Sequence, residues 1–286
     1  MLHQNIHKTT KKTLNIAGKL LDLSLPRIMG VLNITPDSFY ANSRTMALED
    51  ILQKARQMAD DGATFIDIGG YSTRPNADDV PEAVELERVL PAIEALKKHL
   101  PAIVISVDTF RANVARQAVA AGASIINDVS GGTLDAAMFE TVAQLGVPYV
   151  LMHLRGNPKT MTQLNHYQEL TTEVIAELQT QMFKLQQLGS IDIMIDPGFG
   201  FAKNANQNFE LLSQLENLEI LERPILVGIS RKSMIWRTLQ IQPDETLNGT
   251  TVLNTVALLK GASILRVHDV RQAVEAVKLV QLLKNN

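Results

Sequence analysis

Apolar residues fall along this chain in two alternating textures. Short, nearly unbroken apolar runs end on Gly, Pro or a polar residue, and longer stretches between them carry apolar positions three to four residues apart. The runs Arg27–Asn33, Thr64–Gly69, Ile103–Asp108, Ser124–Asp128, Pro148–His153, Ile191–Ile195, Pro224–Ile229 and Ser263–Val267 predict buried strands. The periodic stretches predict helices over Ala47–Asp61, Pro81–His99, Arg111–Ala121, Leu134–Leu145 and Tyr167–Leu188. Others follow near Asn208–Leu218, from Ser230 through Leu239, near Gly249–Lys260 and over Val270–Leu283. Pro81 suits a first helical turn, and Gly62, Gly122, Gly146 and Gly189 suit stops. Strand–helix units repeated in this way predict a (β/α)8 TIM barrel of parallel strands. A doubly wound open sheet is the alternative, but it leaves edge strands that such uniformly apolar runs do not suit.

Ahead of the barrel, residues 1–13 are polar and predict a frayed end. Leu14 to Leu25, around Gly18, predicts a short β-hairpin over one end of the barrel. No linker or low-complexity segment interrupts the chain. One domain is expected over 1–286, with 1–26 as extension and hairpin and 27–283 as barrel.

The strand ends carry the chemistry. They supply Asn33, Asp67, Asp108, Asn127 with Asp128, His153, Asp196, Ser230 to Lys232, and Arg266 with His268. One Asp at a strand end reads as a cap. Hydrogen-bonding groups at nearly every strand end read as a site lining a barrel mouth. Asp196 is the sharpest case: Pro197 has no N–H to extend a ladder, so a carboxylate is left at the tip of an apolar run and needs a partner.

Composition narrows the classes. The chain has 286 residues, 45% hydrophobic and 20% charged, enough for one large core. A net charge of −3 gives no reason to expect nucleic acid. The chain has no Cys, which excludes disulfides, thiolate metal sites and a Cys nucleophile and fits a reducing cytoplasm. Lys8, Lys11 and Lys12 precede no apolar segment of a secretory signal, and no apolar run is long enough for a membrane span.

Four motifs stand out. GFGFAK after Asp196 lacks the third Gly of a dinucleotide loop and the GK[ST] of a P-loop, so its aromatic Phe201 suits packing on a flat substrate. STRPNA, from Ser72, sets hydroxyls and Arg74 before a rigid Pro75, a combination suited to anionic oxygens, though also to an ordinary exposed loop. SRKS, from Ser230, places Arg231 and Lys232 in a first helical turn against the dipole, which suggests that one of them faces a ligand. RVHD puts Arg266 and His268 on one side of an extended segment, as an oxyanion clamp would be built. No His spacing suggests zinc. Asp108, Asn127 and Asp196 match a planar N–H fork, the edge shown by pterins and guanines.

Taken together, MGVLNITPDSF, DIGGYSTRP, SVDT, NDVSGG, MHLRGNPKTM, DPGFGF, GISRKSM and RVHDV closely resemble the dihydropteroate synthases of the folate pathway, in that family's order and across nearly all of 27–283. The resemblance implies a TIM barrel. It also implies condensation of 6-hydroxymethyl-7,8-dihydropterin diphosphate with 4-aminobenzoate, assisted by Mg²⁺. It places Asp108, Asn127, Asp196 and Lys232 on the pterin, with Met152 packed against the ring. Asn33 is expected to hold Mg²⁺ and, with Thr73, Arg74, Arg266 and His268, the diphosphate. Ser233 is expected to take the aminobenzoate carboxylate, and Phe39, Pro75, Phe201 and Lys232 to wall its pocket. Asp108, Asp196, Lys232, Arg266 and His268 are the expected catalytic set. The resemblance further implies a homodimer through the outer helices and competition between sulfonamides and aminobenzoate. Two departures are visible. Tyr40-Ala41-Asn42-Ser43 stands where members often read SDGG, and Tyr71 where they often have Glu. Two other readings remain: a corrinoid-linked methyltransferase on the same barrel, which would not need the cationic STRP, SRKS and RVHD set, and a non-enzymatic pterin-binding barrel.

Overall fold

The structure, a computed structural model, describes residues 11–34, 44–71 and 79–285. A two-stranded antiparallel hairpin comes first, β1 (Thr13–Ile16) and β2 (Lys19–Asp22). Its two-residue turn has Ala17 at φ 50 and Gly18 at φ 83, the left-handed pair that matches the twist of a tight hairpin. The barrel strands follow as β3 (Arg27–Asn33), β4 (Phe65–Gly69), β5 (Val104–Asp108), β6 (Ile125–Asp128), β7 (Tyr149–Met152), β8 (Ile193–Asp196), β9 (Ile225–Val227) and β10 (Ala262–Val267). They are parallel and close in sequence order, β10 pairing back onto β3. The helices are α1 (Arg44–Asp60), α2 (Glu82–His99), α3 (Ala112–Ala121), α4 (Met138–Leu145), α5 (Leu170–Gln187), α6 (Ala205–Ser213), α7 (Ser233–Leu239), α8 (Leu247–Leu259) and α9 (Val270–Lys284).

Strand alternation divides the core in two. Outward residues such as Ile66, Ile68, Val107, Ile126, Leu151, Ile195, Val227 and Val267 pack against the helices in one large cluster. Inward residues Met29, Phe65, Ile125, Val150, Met194, Leu226 and Ile264 pack with Leu14 and Leu23 of the hairpin segment. The hairpin therefore floors the barrel at the N-terminal ends of its strands, as its apolar pattern predicts. Above that floor the inward positions turn polar.

Several element boundaries differ from the sequence pattern, and three of them do so for a clear local reason. Helix α4 starts at Met138 rather than Leu134, because the Asp135 carboxylate accepts the backbone N–H groups of Ala137 and Ala112 and holds a turn there. Tyr167 lies outside α5; its hydroxyl donates to the Ala202 carbonyl at 3.0 Å and its ring packs under Arg155. Helix α6 begins early, at Ala205, on a capping box between Asn204 and Gln207, and a 3-10 segment, Leu215–Leu221, follows it. Among the described residues, no helix is long and apolar enough to cross a membrane.

Candidate active site

The polar inward residues form a ring at the C-terminal ends of the strands. Asn33, Gly69, Asp108 and Asn127 stand side by side in register across β3 to β6. Gly69 lies between Asn33 and Asp108: a Cβ there would stand 3.4 Å from Asn33 Oδ1 and 3.5 Å from the Asp108 Cβ, ordinary packing distances. Met152 and Asp196 pair in register on the opposite side.

Arg266 crosses the middle of this ring. Its Nε donates to Asp67 Oδ2 and its Nη2 to Asp108 Oδ2, both at 2.6 Å. Asn127 Nδ2 donates to the same Asp67 oxygen at 2.8 Å. Asp67 is completely buried, and its Oδ1 accepts no hydrogen bond from the described residues. One hidden carboxylate thus aims both a guanidinium and an amide, leaving the rest of the guanidinium fork for a ligand. Burial pushes the Asp108 carboxyl up to about 7, against the pull of Arg266 and with a further push from Asp67. The Arg266 guanidinium is also buried, but Asp67 and Asp108 outweigh that and hold it firmly charged.

Asp196 ends β8 as expected, buried, with Oδ1 accepting the Gly198 N–H at 2.8 Å. Burial raises its carboxyl pKa, opposed chiefly by Lys232. Burial lowers the Lys232 ammonium to about 8, opposed by Asp196. Lys232 donates to the Phe199 carbonyl, and its Nζ lies 4.7 Å from the Phe201 ring centroid. Met152 and partly buried Phe201 share a small apolar cluster with Val129, Leu154, Met161, Ala202 and Phe110. A carboxylate, an ammonium and an apolar face therefore converge on one side of the mouth. Phe39, Thr73, Arg74 and Pro75 lie outside the described residues, as do Ser72 and the Tyr40–Ser43 departure.

The chain that carries these groups matches a known family. Residues 29–268 match the family described as pterin binding enzyme. The chain belongs to the pterin-binding enzyme family. The dihydropteroate synthase of Escherichia coli K12 is 42% identical over 266 residues, 92% of this chain and 94% of that protein. The Yersinia pestis dihydropteroate synthase with a sulfonamide drug complex superposes with a TM-score of 0.90 at 40% identity, covering 96% of this chain and 100% of that one. The Xanthomonas albilineans dihydropteroate synthase with 4-aminobenzoic acid gives 0.88 at 40% identity, covering 96% and 99%.

Against that pterin-binding frame, some sequence readings need correction. Lys232 and Arg231 are not in a helical first turn: Lys232 is the N-cap of α7, and Arg231 precedes it at φ 57. Arg231 is engaged within the protein. Its guanidinium grips Asp269, Nε at 3.1 Å and Nη2 at 2.5 Å, tying the loop after β9 to the loop after β10. Ser233 is the first residue of α7. His268 sits beside Ser230, whose hydroxyl accepts the His268 backbone N–H at 3.2 Å and lies 3.0 Å from Nδ1. Tyr71, the second departure, stacks edge-on against Phe110 with centroids 5.1 Å apart and donates to Asp79 at 3.2 Å.

Asp67 and Lys203 were missed as site residues. Asp67 was visible as one more strand-end carboxylate, but nothing local shows that it serves two other candidates. Lys203 was read only as the end of the glycine-rich loop.

Metal binding was expected at Asn33. Among the described residues, no three His, Cys, Asp or Glu side chains cluster as metal ligands. Asn33 instead offers an amide oxygen at the mouth next to the Asp108 carboxyl. That donor set fits Mg²⁺, a hard cation that keeps several waters and takes few protein oxygens besides substrate phosphates.

Proposed function

We propose that this site condenses 6-hydroxymethyl-7,8-dihydropterin diphosphate with 4-aminobenzoate, giving 7,8-dihydropteroate and diphosphate. The observation that carries the reading is the pairing of a carboxylate recognition set, Asp108 and Asp196 with Asn127, with a cationic set, Arg266, Lys232 and His268, in one mouth. The pterin's 2-amino group and ring N–H fit the carboxylates, and Met152 supplies an apolar face. Arg266, His268 and Thr73 with Arg74 hold the diphosphate. Ser233 takes the aminobenzoate carboxylate, and Phe39, Pro75, Phe201 and Lys232 wall that pocket, where sulfonamides compete.

The C–O bond at the pterin methylene breaks first, and the diphosphate leaves with the electron pair. Arg266 and His268 stabilise the negative charge that develops on it. Asp196, whose charged form Lys232 favours against burial, stabilises the cation left behind. The amine nitrogen then attacks the methylene and gives up a proton to solvent. No covalent enzyme intermediate is needed. Asn33 would hold Mg²⁺, which when bound supplies positive charge to the diphosphate oxygens.

A corrinoid-linked methyltransferase needs no such cationic set, since it releases no diphosphate. The test is diphosphate release by the purified protein with and without 4-aminobenzoate. Release only with both substrates is expected, and pterin diphosphate that loses diphosphate equally fast with and without 4-aminobenzoate would rule the reading out. We further propose a cytoplasmic homodimer. Its support is the absence of Cys and the exposed Val252 and Leu259 of α8 beside exposed Leu279, Leu282 and Leu283 of α9.

A further inference from the structure

The loop after β8 runs Pro197-Gly198-Phe199-Gly200-Phe201-Ala202, with Gly198 at φ 70, Gly200 at φ 79 and Ala202 at φ 49. Such a chain of left-handed residues does not hold its own shape, because it forms no regular hydrogen-bond ladder. Side chains hold it instead: Asp196 accepts the Gly198 N–H, Asn208 Oδ1 accepts the Gly200 N–H at 2.7 Å, Lys232 donates to the Phe199 carbonyl and Tyr167 to the Ala202 carbonyl, and one more gathers two of its carbonyls from beneath. Lys203, 9% exposed, turns back beneath the loop. Its Nζ donates to the Phe201 carbonyl at 3.0 Å and the Gly198 carbonyl at 3.1 Å, and lies 3.0 Å from His153 Nδ1. These three acceptors match the donors of an ammonium, which has no lone pair to offer. While Lys203 is charged, His153 presents a bare Nδ1 to it and carries its proton on Nε2, which lies 3.0 Å from Glu177 Oε2. Glu177 is fixed in turn by Arg155 Nε at 3.0 Å.

We propose that Lys203 is a positioning residue for the second-substrate pocket. By gathering the Gly198 and Phe201 carbonyls against the His153 ring, it holds Phe201 in place as a wall for the aminobenzoate. The proposal rests on the reading of Phe201 as part of that pocket. Asp196, by contrast, is held without it: Asp196 lies in the β8 ladder, and its carbonyl accepts the His153 N–H at 2.9 Å. The first-substrate side therefore keeps its geometry when Lys203 is lost. The surroundings fit a group kept for geometry. Burial draws the Lys203 ammonium down to about 7, with Asp196 pulling it up and Lys232 pushing it further down. Burial and the Lys203 charge keep His153 neutral down to about 4. Neither side chain is needed for a proton in the reaction.

The test compares Lys203→Met, of similar length but without donors, with Phe201→Ala and with the unaltered enzyme, reading KM for each substrate separately. In Lys203→Met, KM for 4-aminobenzoate is expected to rise about tenfold while KM for the pterin diphosphate stays within about twofold. Lys203→Gln keeps N–H donors and serves as the second variant. It is expected to show the same split at reduced size. Raised aminobenzoate KM in Phe201→Ala with an unmoved Lys203→Met overturns the positioning role alone. An unmoved Phe201→Ala overturns the pocket reading and this proposal with it. Equal rises for both substrates in whichever Lys203 variant folds, or failure of both to fold, make Lys203 a determinant of the fold and also overturn it.

Discussion

Two residues separate electrostatics from shape in this site. Asp196→Asn removes a charge and almost no volume. Since Asp196 is the carboxylate nearest the proposed pterin cation, turnover is expected to fall roughly 10²-fold or more with the fold retained. Near-normal turnover in a folded variant, checked by circular dichroism, would end that role. Arg266→Ala removes the hub between Asp67 and Asp108. Calorimetric titration should show the affinity for the pterin diphosphate falling much further than that for the free pterin; equal losses would count against a diphosphate clamp. Asp108, Asn127, Asp196, Arg266 and His268 were legible in the sequence because each ends or immediately follows an apolar run. Asp67 was less so, because its importance lies in partners 60 and 199 residues away that only the closed barrel brings to it. The pairing of Arg231 was not legible for a similar reason: its partner Asp269 is on another loop.

At the scale of elements, the strands were the most legible part. Each apolar run became a barrel strand, because parallel strands buried on both faces leave little room for polar interruption. Helix starts were less legible, since side chains such as Asp135 and Asn204 set them through backbone bonds that periodicity does not record. The loop after β8 offers a sharp test of how tightly these parts fit. A Cβ on Gly198 would stand 2.1 Å from the His153 carbonyl oxygen, and the residue sits at φ 70. Gly198→Ala is expected to destabilise the protein by more than about 1 kcal/mol, read from the urea midpoint. An unchanged midpoint would mean that the loop and β7 are free to separate.

The whole molecule presents two unlike exteriors. Most of its helical surface is polar, but α8 and α9 leave Val252, Leu259, Leu279 and Leu283 in the open. If these form the dimer face, Leu279→Glu should yield a species of about half the sedimenting mass, with the monomer fold kept. A parent protein that sediments as a monomer would remove the premise. At this scale the barrel was readable from strand–helix alternation alone, whereas the covering of an outer face depends on a second chain and leaves only exposed side chains as its trace.

The inward side chains of the strands, packed below against Leu14 and Leu23, leave the barrel a single opening. Reactants cannot pass through; they arrive and depart by the same door, in single file. The ring that rests deepest, near Asp108 and Asp196, must be first in and last out. The finished product keeps that ring, so on its way out it occupies the place the next pterin needs. Dihydropteroate should therefore inhibit competitively against the pterin diphosphate in initial-rate measurements. A noncompetitive pattern would point to a second door.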